Sequence, residues 1–223
     1  MSGEGPSSPI GGLMNLITWY YQRRMLNAMV QNRWKEAERF TRKLINHEGS
    51  SMGLHYNLSL IALGSGDRGK AYDILIQAIQ RYGESLRLCR LLGDISYLQG
   101  KQEEAERWYT AALEDNPSGK EEYLMRLRLD LLSSQEKYTQ ALRASALLPE
   151  AENMIESDPQ EARSLYERIV ADDPSLAEAW NNLGHLALDH FSDGKTAIDA
   201  FTRTLELVDH QGAARNLARA RKA

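Results

Sequence analysis

The sequence lacks the residues on which most catalytic and metal sites depend. Its 223 residues include one cysteine, Cys89, so no disulfide can form within the chain, which fits a reducing, cytoplasmic location. The five histidines form no HExxH pair, and neither a glycine-rich phosphate loop nor a Gly-x-Ser-x-Gly element occurs. We therefore expect no catalytic residue, no metal site and no cofactor, and a protein that is not an enzyme.

Long apolar stretches and basic runs are missing as well. No run of 18 apolar residues occurs, so no membrane span is predicted. Residues 1–12 are rich in Gly, Ser and Pro and lack the basic and apolar parts of a secretory signal, which predicts a flexible N-terminal arm. A net charge of −4 and a pI of about 5.8 disfavour a nucleic-acid partner.

Small residues recur at a fixed spacing. Ala37, Ala71 and Ala105 are each 34 residues apart. A period of this length is typical of a solenoid, in which helix pairs bury their apolar faces by stacking on neighbouring pairs. Regular strand patterning is absent, so we predict an all-α chain.

One stretch of the sequence carries a specific repeat pattern. It contains the pair Leu92-Gly93, then Ala105-x3-Tyr109, and then Pro117. This spacing resembles the tetratricopeptide repeat family. The small residues are expected where two helices cross, because only a small side chain lets the backbones approach there.

A second stretch repeats the pattern, with Trp180-x2-Leu183-Gly184 followed by Ala197-x3-Phe201. The resemblance implies a right-handed α-solenoid of antiparallel helix pairs with a C-terminal capping helix. We expect one solenoid over residues 13–223. Its predicted units are residues 13–50, 52–85, 86–118, 121–148, 149–175 and 177–209, with the cap at 211–223.

The repeat rhythm breaks over residues 121–158. Pro149 disfavours one continuous helix there. We expect a helix that ends near Leu147, a short helix over residues 150–157, and Asp158 as the cap of the next helix.

The resemblance also implies a concave groove, lined by the first helix of each repeat, that binds a protein segment. The groove positions that carry over to this chain are Tyr56, Asn57, Arg87, Arg90, Asp94, Tyr97, Arg126, Asp130, Asn181, Asn182 and His185. Asn57 stands where peptide-binding members carry an asparagine, but the matching lysine and asparagine of their dicarboxylate clamp are not evident. The arginines favour an acidic partner. Alternatively, Arg90 and Arg126 only pair with the aspartate four residues later on a solvated helix.

The first helix, predicted from Leu13 to Val30, is a second candidate surface. Its start is crowded with the apolar and aromatic residues Leu13, Leu16, Ile17, Trp19 and Tyr20. A terminal helix cannot bury apolar residues on every side. Either a partner, a second copy of the chain or a membrane surface covers some of them, or the helix packs back on the first repeat.

These patterns together predict a non-catalytic protein-interaction adaptor or assembly factor that binds a protein or peptide segment in its groove. The alternative is a structural subunit of a larger, membrane-associated complex, docked through the N-terminal helix. The two hypotheses differ in which surface matters, the groove or residues 1–31.

Overall fold

A computed structural model describes the backbone of residues 9–117 and 119–222, with side chains from residue 16 onward. These residues form helices joined by short turns, and no strand occurs among them, which confirms the predicted all-α class. The helices, in chain order, are α1 (Pro9–Val30), α2 (Trp34–Glu48), α3 (Met52–Gly64), α4 (Arg68–Tyr82), α5 (Leu86–Leu98), α6 (Gln102–Glu114), α7 (Gly119–Leu132), α8 (Gln135–Ala146), α9 (Leu148–Met154), α10 (Pro159–Asp172), α11 (Ala177–Asp189), α12 (Gly194–Leu207) and α13 (Gln211–Ala220).

The chain divides into two compact units, residues 1–95 and residues 96–223, and the boundary falls within α5. One continuous solenoid over residues 13–223 stays a prediction. The predicted arm, residues 1–12, lies partly outside the described residues. Its last four residues belong to α1, which begins at Pro9. Proline is accepted in the first turn of a helix because the N–H it lacks has no helical partner there.

In the first unit, α1 packs on α2, α2 on α3, and α3 on α4. Met25 of α1 meets Phe40 and Leu44 of α2 in one core cluster. Close approach of the helices depends on a small residue at Gly64, because a Cβ there would lie 2.5 Å from the Trp34 ring. At this contact a small residue therefore lies beneath a large one, as expected for close helix packing.

The second unit contains the irregular region. Helix α8 ends at Ala146, the seven-residue α9 follows, and Asp158 caps α10 by accepting a hydrogen bond from the Glu161 N–H at 3.1 Å. The predicted break and the predicted cap are thus confirmed, but the short helix spans Leu148–Met154 rather than residues 150–157, because Pro149 is accepted in its first turn. Helix α10 packs on both α8 and α9, and α7 contacts α12.

The glycine of the second repeat pattern, Gly184, is required by a close helix–helix contact. A Cβ at Gly184 of α11 would lie 2.7 Å from the ring of Phe201 in α12. Phe201 is fully buried, and so are Ala187 and Ala197 beside it. The small and the large position of the pattern therefore fill one packed crossing.

Candidate interaction surfaces

The predicted groove residues of the first unit lie on α3 and α5. Tyr56 and Asn57 are half-buried on α3, whose first turn is capped by the side chain of Ser51. The amide nitrogen of Asn57 makes only a weak hydrogen bond, 3.9 Å long, to the sulfur of Met25. Arg87 is exposed on α5, and no carboxylate of the described residues pairs with it.

Further along α5, Arg90 and Asp94 are half-buried. They lie at the predicted spacing of four residues, and both take part in further polar or electrostatic contacts. Their role in a groove stays a prediction.

The predicted pair on α7 is not formed. The Nε of exposed Arg126 donates to Glu122, one turn upstream, at 2.8 Å. Asp130 instead accepts from the ammonium group of Lys137 at 3.0 Å. The i,i+4 alternative is therefore wrong for Arg126 and Asp130, because each has an opposite charge in easier reach.

Tyr97 does not line a groove in this structure, so its assignment as a peptide contact is corrected. Its side chain is fully buried, and its hydroxyl donates to Oδ2 of Asp173 at 2.9 Å. Tyr138 adds a hydrogen bond from its hydroxyl to the Tyr97 carbonyl oxygen, 2.5 Å away. Tyr97 is therefore a core residue of the second unit and offers no surface to a ligand.

A buried polar cluster surrounds this tyrosine. The guanidinium of Arg128 lies 5.1 Å from the Tyr97 ring centroid, and it donates to the Tyr109 hydroxyl at 2.7 Å and to Ser175 Oγ at 3.2 Å. Asp173 accepts from both the N–H and the hydroxyl of Ser175, at 2.9 and 2.6 Å. Burial raises the pKa of Asp173 above its ordinary value, although the surrounding donors and Arg128 oppose the shift. Burial and the nearby carboxylate raise the pKa of Tyr97, so its hydroxyl stays a donor.

Two of the predicted groove residues of α11, Asn182 and His185, are engaged within the fold. Asn182 donates to the Tyr166 hydroxyl at 3.1 Å. His185 lies 3.0 Å from the side-chain nitrogen of Asn216 and 3.5 Å from Asp189, and its ring meets Phe201 edge-on. The side-chain oxygen of half-buried Asn181 has no hydrogen-bond partner among the described residues.

The structure also contains a cleft that the sequence patterns did not predict. It lies in the second unit, has a volume of about 300 Å³, and is lined by Tyr123, Pro174, Trp180, Asp199, Arg203, Glu206 and Leu207. Arg203 already pairs with Glu206 at 3.0 Å. Trp180 is recognisable as a repeat position, but the sequence carries no signal that α7 would approach α12.

Helix α1 carries most of the exposed apolar side chains of the described residues. These exposed side chains are Leu16, Trp19, Tyr20, Leu26 and Val30 on α1, with Met52, Leu98 and Tyr123 elsewhere. Trp19 is 53% exposed and Val30 84%. Of the other predicted interface residues, Ile17 is half-buried, and the side chain of Leu13 lies outside the described residues. Leu26 and Val30 were not singled out from the sequence, although both continue the stripe at helical spacing.

The described residues contain no cluster of His, Cys, Asp and Glu suited to holding a metal ion. Across the same part of the chain, no helix combines the length and the apolar character needed to cross a bilayer. Cys89 is buried in α5.

Comparison with known proteins places the repeats in a family. The sequence model described as tetratricopeptide repeat matches residues 56–120 and 156–212, which together exceed half of the chain. No curated protein matches the sequence.

Several solved structures are similar. The TPR2AB domain–pHSP90 complex of yeast Sti1 is 14% identical, with 93% of this chain and 84% of that chain covered and a TM-score of 0.49. TTC0263, a TPR protein of Thermus thermophilus, is 16% identical, with 92% and 100% covered and a TM-score of 0.49. YrrB, a TPR protein with an unusual peptide-binding site, is 18% identical, with 91% of each chain covered and a TM-score of 0.42.

Proposed function

Because the chain belongs to the tetratricopeptide repeat family, we propose that it is a non-catalytic adaptor or assembly factor that binds a segment of a partner protein along the first helices of its repeats. Stacked helix pairs present extended surfaces suited to holding a polypeptide. Each unit offers its own candidate surface, on α3 and α5 in the first unit and on α7 and α11 in the second.

The proposal is supported mainly by two polar side chains of the first unit that have few hydrogen-bond partners within the described residues. Arg87 is exposed and pairs with no carboxylate of the described residues, while Asn57 makes only a weak bond to sulfur. An arginine offers two parallel donors to a carboxylate, and an asparagine offers a donor and an acceptor to a peptide backbone. A partner segment with acidic residues would offer a carboxylate to Arg87 and backbone groups to Asn57.

The exposed Arg126 of α7 adds a similar group in the second unit. Its pairing with Glu122 is solvent-exposed, since the Arg126 side chain is 64% exposed. Exposed ion pairs contribute little to stability, so an incoming carboxylate can replace Glu122 at small cost.

The test uses the full chain with Asn57→Ala and Arg87→Glu combined. Affinity capture with the wild-type chain identifies the partner by mass spectrometry, and binding of that purified partner is then titrated. We expect affinity at least about tenfold weaker in the double variant, since charge-assisted hydrogen bonds are lost. The helical circular dichroism signal should be nearly unchanged, because Arg87 is exposed and half-buried Asn57 loses only a weak bond to Met25.

Arg143→Glu provides the matched control, because Arg143 is an exposed arginine on α8, the second helix of its repeat. It should bind the partner as the wild type does. Equal affinity of the groove variant and this control would contradict binding along the first helices.

A second candidate function is a structural subunit docked through α1, and the exposed apolar stripe of that helix favours it. Contiguous exposed apolar surface is typical of protein interfaces. Combining Leu16→Ser with Trp19→Ser, both exposed positions, should then abolish entry into the native complex, while the groove variant enters it normally. The opposite result would favour the adaptor.

A further inference from the structure

Helix α1 uses one side to pack and leaves most of the other side exposed, although at its edge the Tyr20 ring meets Phe40 of α2 edge-on. Met25 and Ala28 are buried against α2 and its neighbours. The opposite face carries the exposed side chains Leu16, Trp19, Tyr20, Leu26 and Val30. Between residues 16 and 30 this face is about 21 Å long at the rise of an α-helix.

The middle of the α1 face contains a shallow depression. It has a volume of about 370 Å³ and is lined by Trp19, Gln22, Arg23, Leu26 and Asn27, which lie on successive turns of one side of the helix. Its lining mixes the apolar side chains of Trp19 and Leu26 with the polar side chains of Gln22, Arg23 and Asn27, a pattern that suits contact with an amphipathic helix.

A single positive charge stands at the centre of the α1 face. The Arg23 guanidinium lies 5.3 Å from the Trp19 ring centroid, and no carboxylate of the described residues pairs with it. Helix α1 contains no aspartate or glutamate. The neighbouring Arg24 is instead bound by Glu36, 2.5 Å away, on the side that meets α2.

We propose that the α1 face docks an amphipathic helix of a partner protein that carries a carboxylate opposite Arg23. This inference rests on the second candidate function, docking through α1, and identifies its partner. In a solenoid each helix pair is covered by the next pair, so a helix is the element that an exposed helix face of this kind accommodates. Packed helices lie about 8–10 Å apart, and about four turns cover the length of this face.

Charge argues against a second copy of the chain as the occupant. Residue 23 lies midway between residues 16 and 30, so an antiparallel pair of α1 faces would bring Arg23 against its own copy. A parallel pair in register does the same. Neither arrangement supplies a carboxylate, whereas an acidic partner helix supplies one.

A membrane surface fits the α1 face less well than an acidic helix. Helices that lie in a membrane interface carry many lysines and arginines on their polar side. The far side of α1 is packed in the protein core instead, and Arg24 is neutralised by Glu36. Among the described side chains of α1, Arg23 is therefore the one cation on this face, fewer than a membrane-bound helix usually carries.

Two synthetic helical peptides of about 18 residues, which span this face, test the proposal with the full chain. Both carry leucine at every third or fourth position, and they differ only in whether the other positions are mainly glutamate or mainly lysine. Fluorescence anisotropy should show the glutamate peptide binding at least about tenfold tighter than the lysine peptide. Trp19→Ser should weaken binding of the glutamate peptide at least about tenfold, as expected for a central aromatic contact.

Matched variants separate the charge from the apolar contribution. Arg23→Gln should reduce the preference for glutamate, while Arg107→Gln should not, although Arg107 likewise covers a tryptophan ring, that of Trp108. Leu26→Ser should weaken binding, while Leu98→Ser, at another exposed leucine, should not. Removing residues 2–8 should leave the affinity unchanged.

Three results would overturn the proposal. The first is that neither peptide binds or that both bind equally. The second is a dimer in sedimentation velocity that Trp19→Ser dissociates, which makes a second copy the occupant. The third is binding to phosphatidylcholine–phosphatidylserine vesicles that Trp19→Ser abolishes. Failure of the adaptor function is distinguishable, because the Asn57→Ala, Arg87→Glu variant would then bind its partner normally, whatever the peptides do at α1.

Discussion

Replacing Tyr97 with phenylalanine should lower the free energy of unfolding by about 1.5–3 kcal/mol. The substitution keeps the buried ring and its contact with Arg128 but removes the hydroxyl that donates to Asp173 at 2.9 Å. Asp173 is fully buried, so water cannot replace this donor without opening the structure. The free energy of unfolding therefore falls by the desolvation cost of a buried carboxylate oxygen that has lost a hydrogen bond.

Tyr166→Phe is the matched control. Tyr166 is also fully buried, but its hydroxyl accepts a bond of 3.1 Å from the neutral amide of Asn182. Loss of a neutral hydrogen bond costs about 0.5–1.5 kcal/mol. Urea titrations followed by circular dichroism at neutral pH measure both variants. Equal losses would refute the special role of the buried carboxylate.

The pH dependence provides a second test of Tyr97→Phe. Burial raises the pKa of Asp173 above 3.8, so the folded state holds this proton more tightly than the unfolded state. The stability that Asp173 contributes is therefore full below about pH 3.8 and is lost as the pH rises through its folded pKa. Tyr97 donates to the charged form, so the penalty of Tyr97→Phe should shrink as the pH falls from neutral and Asp173 becomes protonated. A penalty that stays constant with pH would contradict this cause.

Three further changes test a helix crossing, a helix cap and an exposed ion pair of the second unit. Gly184→Leu should cost about 1–3 kcal/mol by overpacking against Phe201, whereas Gly53→Leu, with open space around it, should cost little in the same urea titration. Asp193→Ala should cost about 0.5–2 kcal/mol at neutral pH, because Asp193 caps α12. Bonds from Thr196 and Arg163 hold the pKa of Asp193 at about 2, so its contribution should disappear as the pH falls from about 4 towards 2, and an unchanged loss at pH 2 would contradict this. Asp209→Ala should change stability by less than about 1 kcal/mol in thermal melts, because its pair with Lys120 is exposed, and a larger loss would show a hidden role.

Features set by neighbouring residues were predictable from the sequence. Ala105 and Tyr109 are fully buried, as their spacing implies for a helix that packs along one stripe. Asp158 precedes a proline and caps α10, because an aspartate side chain can reach the free N–H groups of the next turn. Both rest on helical geometry that repeats every few residues.

Contacts between distant residues were not predictable. Tyr97 stands at a groove position of the family pattern, yet Asp173, 76 residues away, holds its hydroxyl in the core. Arg126 has a carboxylate one turn away on either side, and spacing alone cannot show that it pairs with Glu122 rather than Asp130. For the α1 face, the crowded apolar residues predicted an interaction surface. The sequence did not show which of Arg23 and Arg24 lies on that face; the structure shows that Arg24 pairs with Glu36 and that Arg23 remains on the exposed face.

The bond between Tyr97 and Asp173 bears on how the second unit folds. Arrays of regular repeats make contacts only between neighbours, so they can form from any point and grow one repeat at a time. Here residues 76 positions apart share a buried hydrogen bond. Such contacts raise the contact order. A high contact order slows folding because a long loop must close, at an entropic cost, before the stabilising contact can form. The second unit should therefore unfold as a single cooperative body, and inserting or removing a repeat between Tyr97 and Asp173 should disturb the contact that joins them.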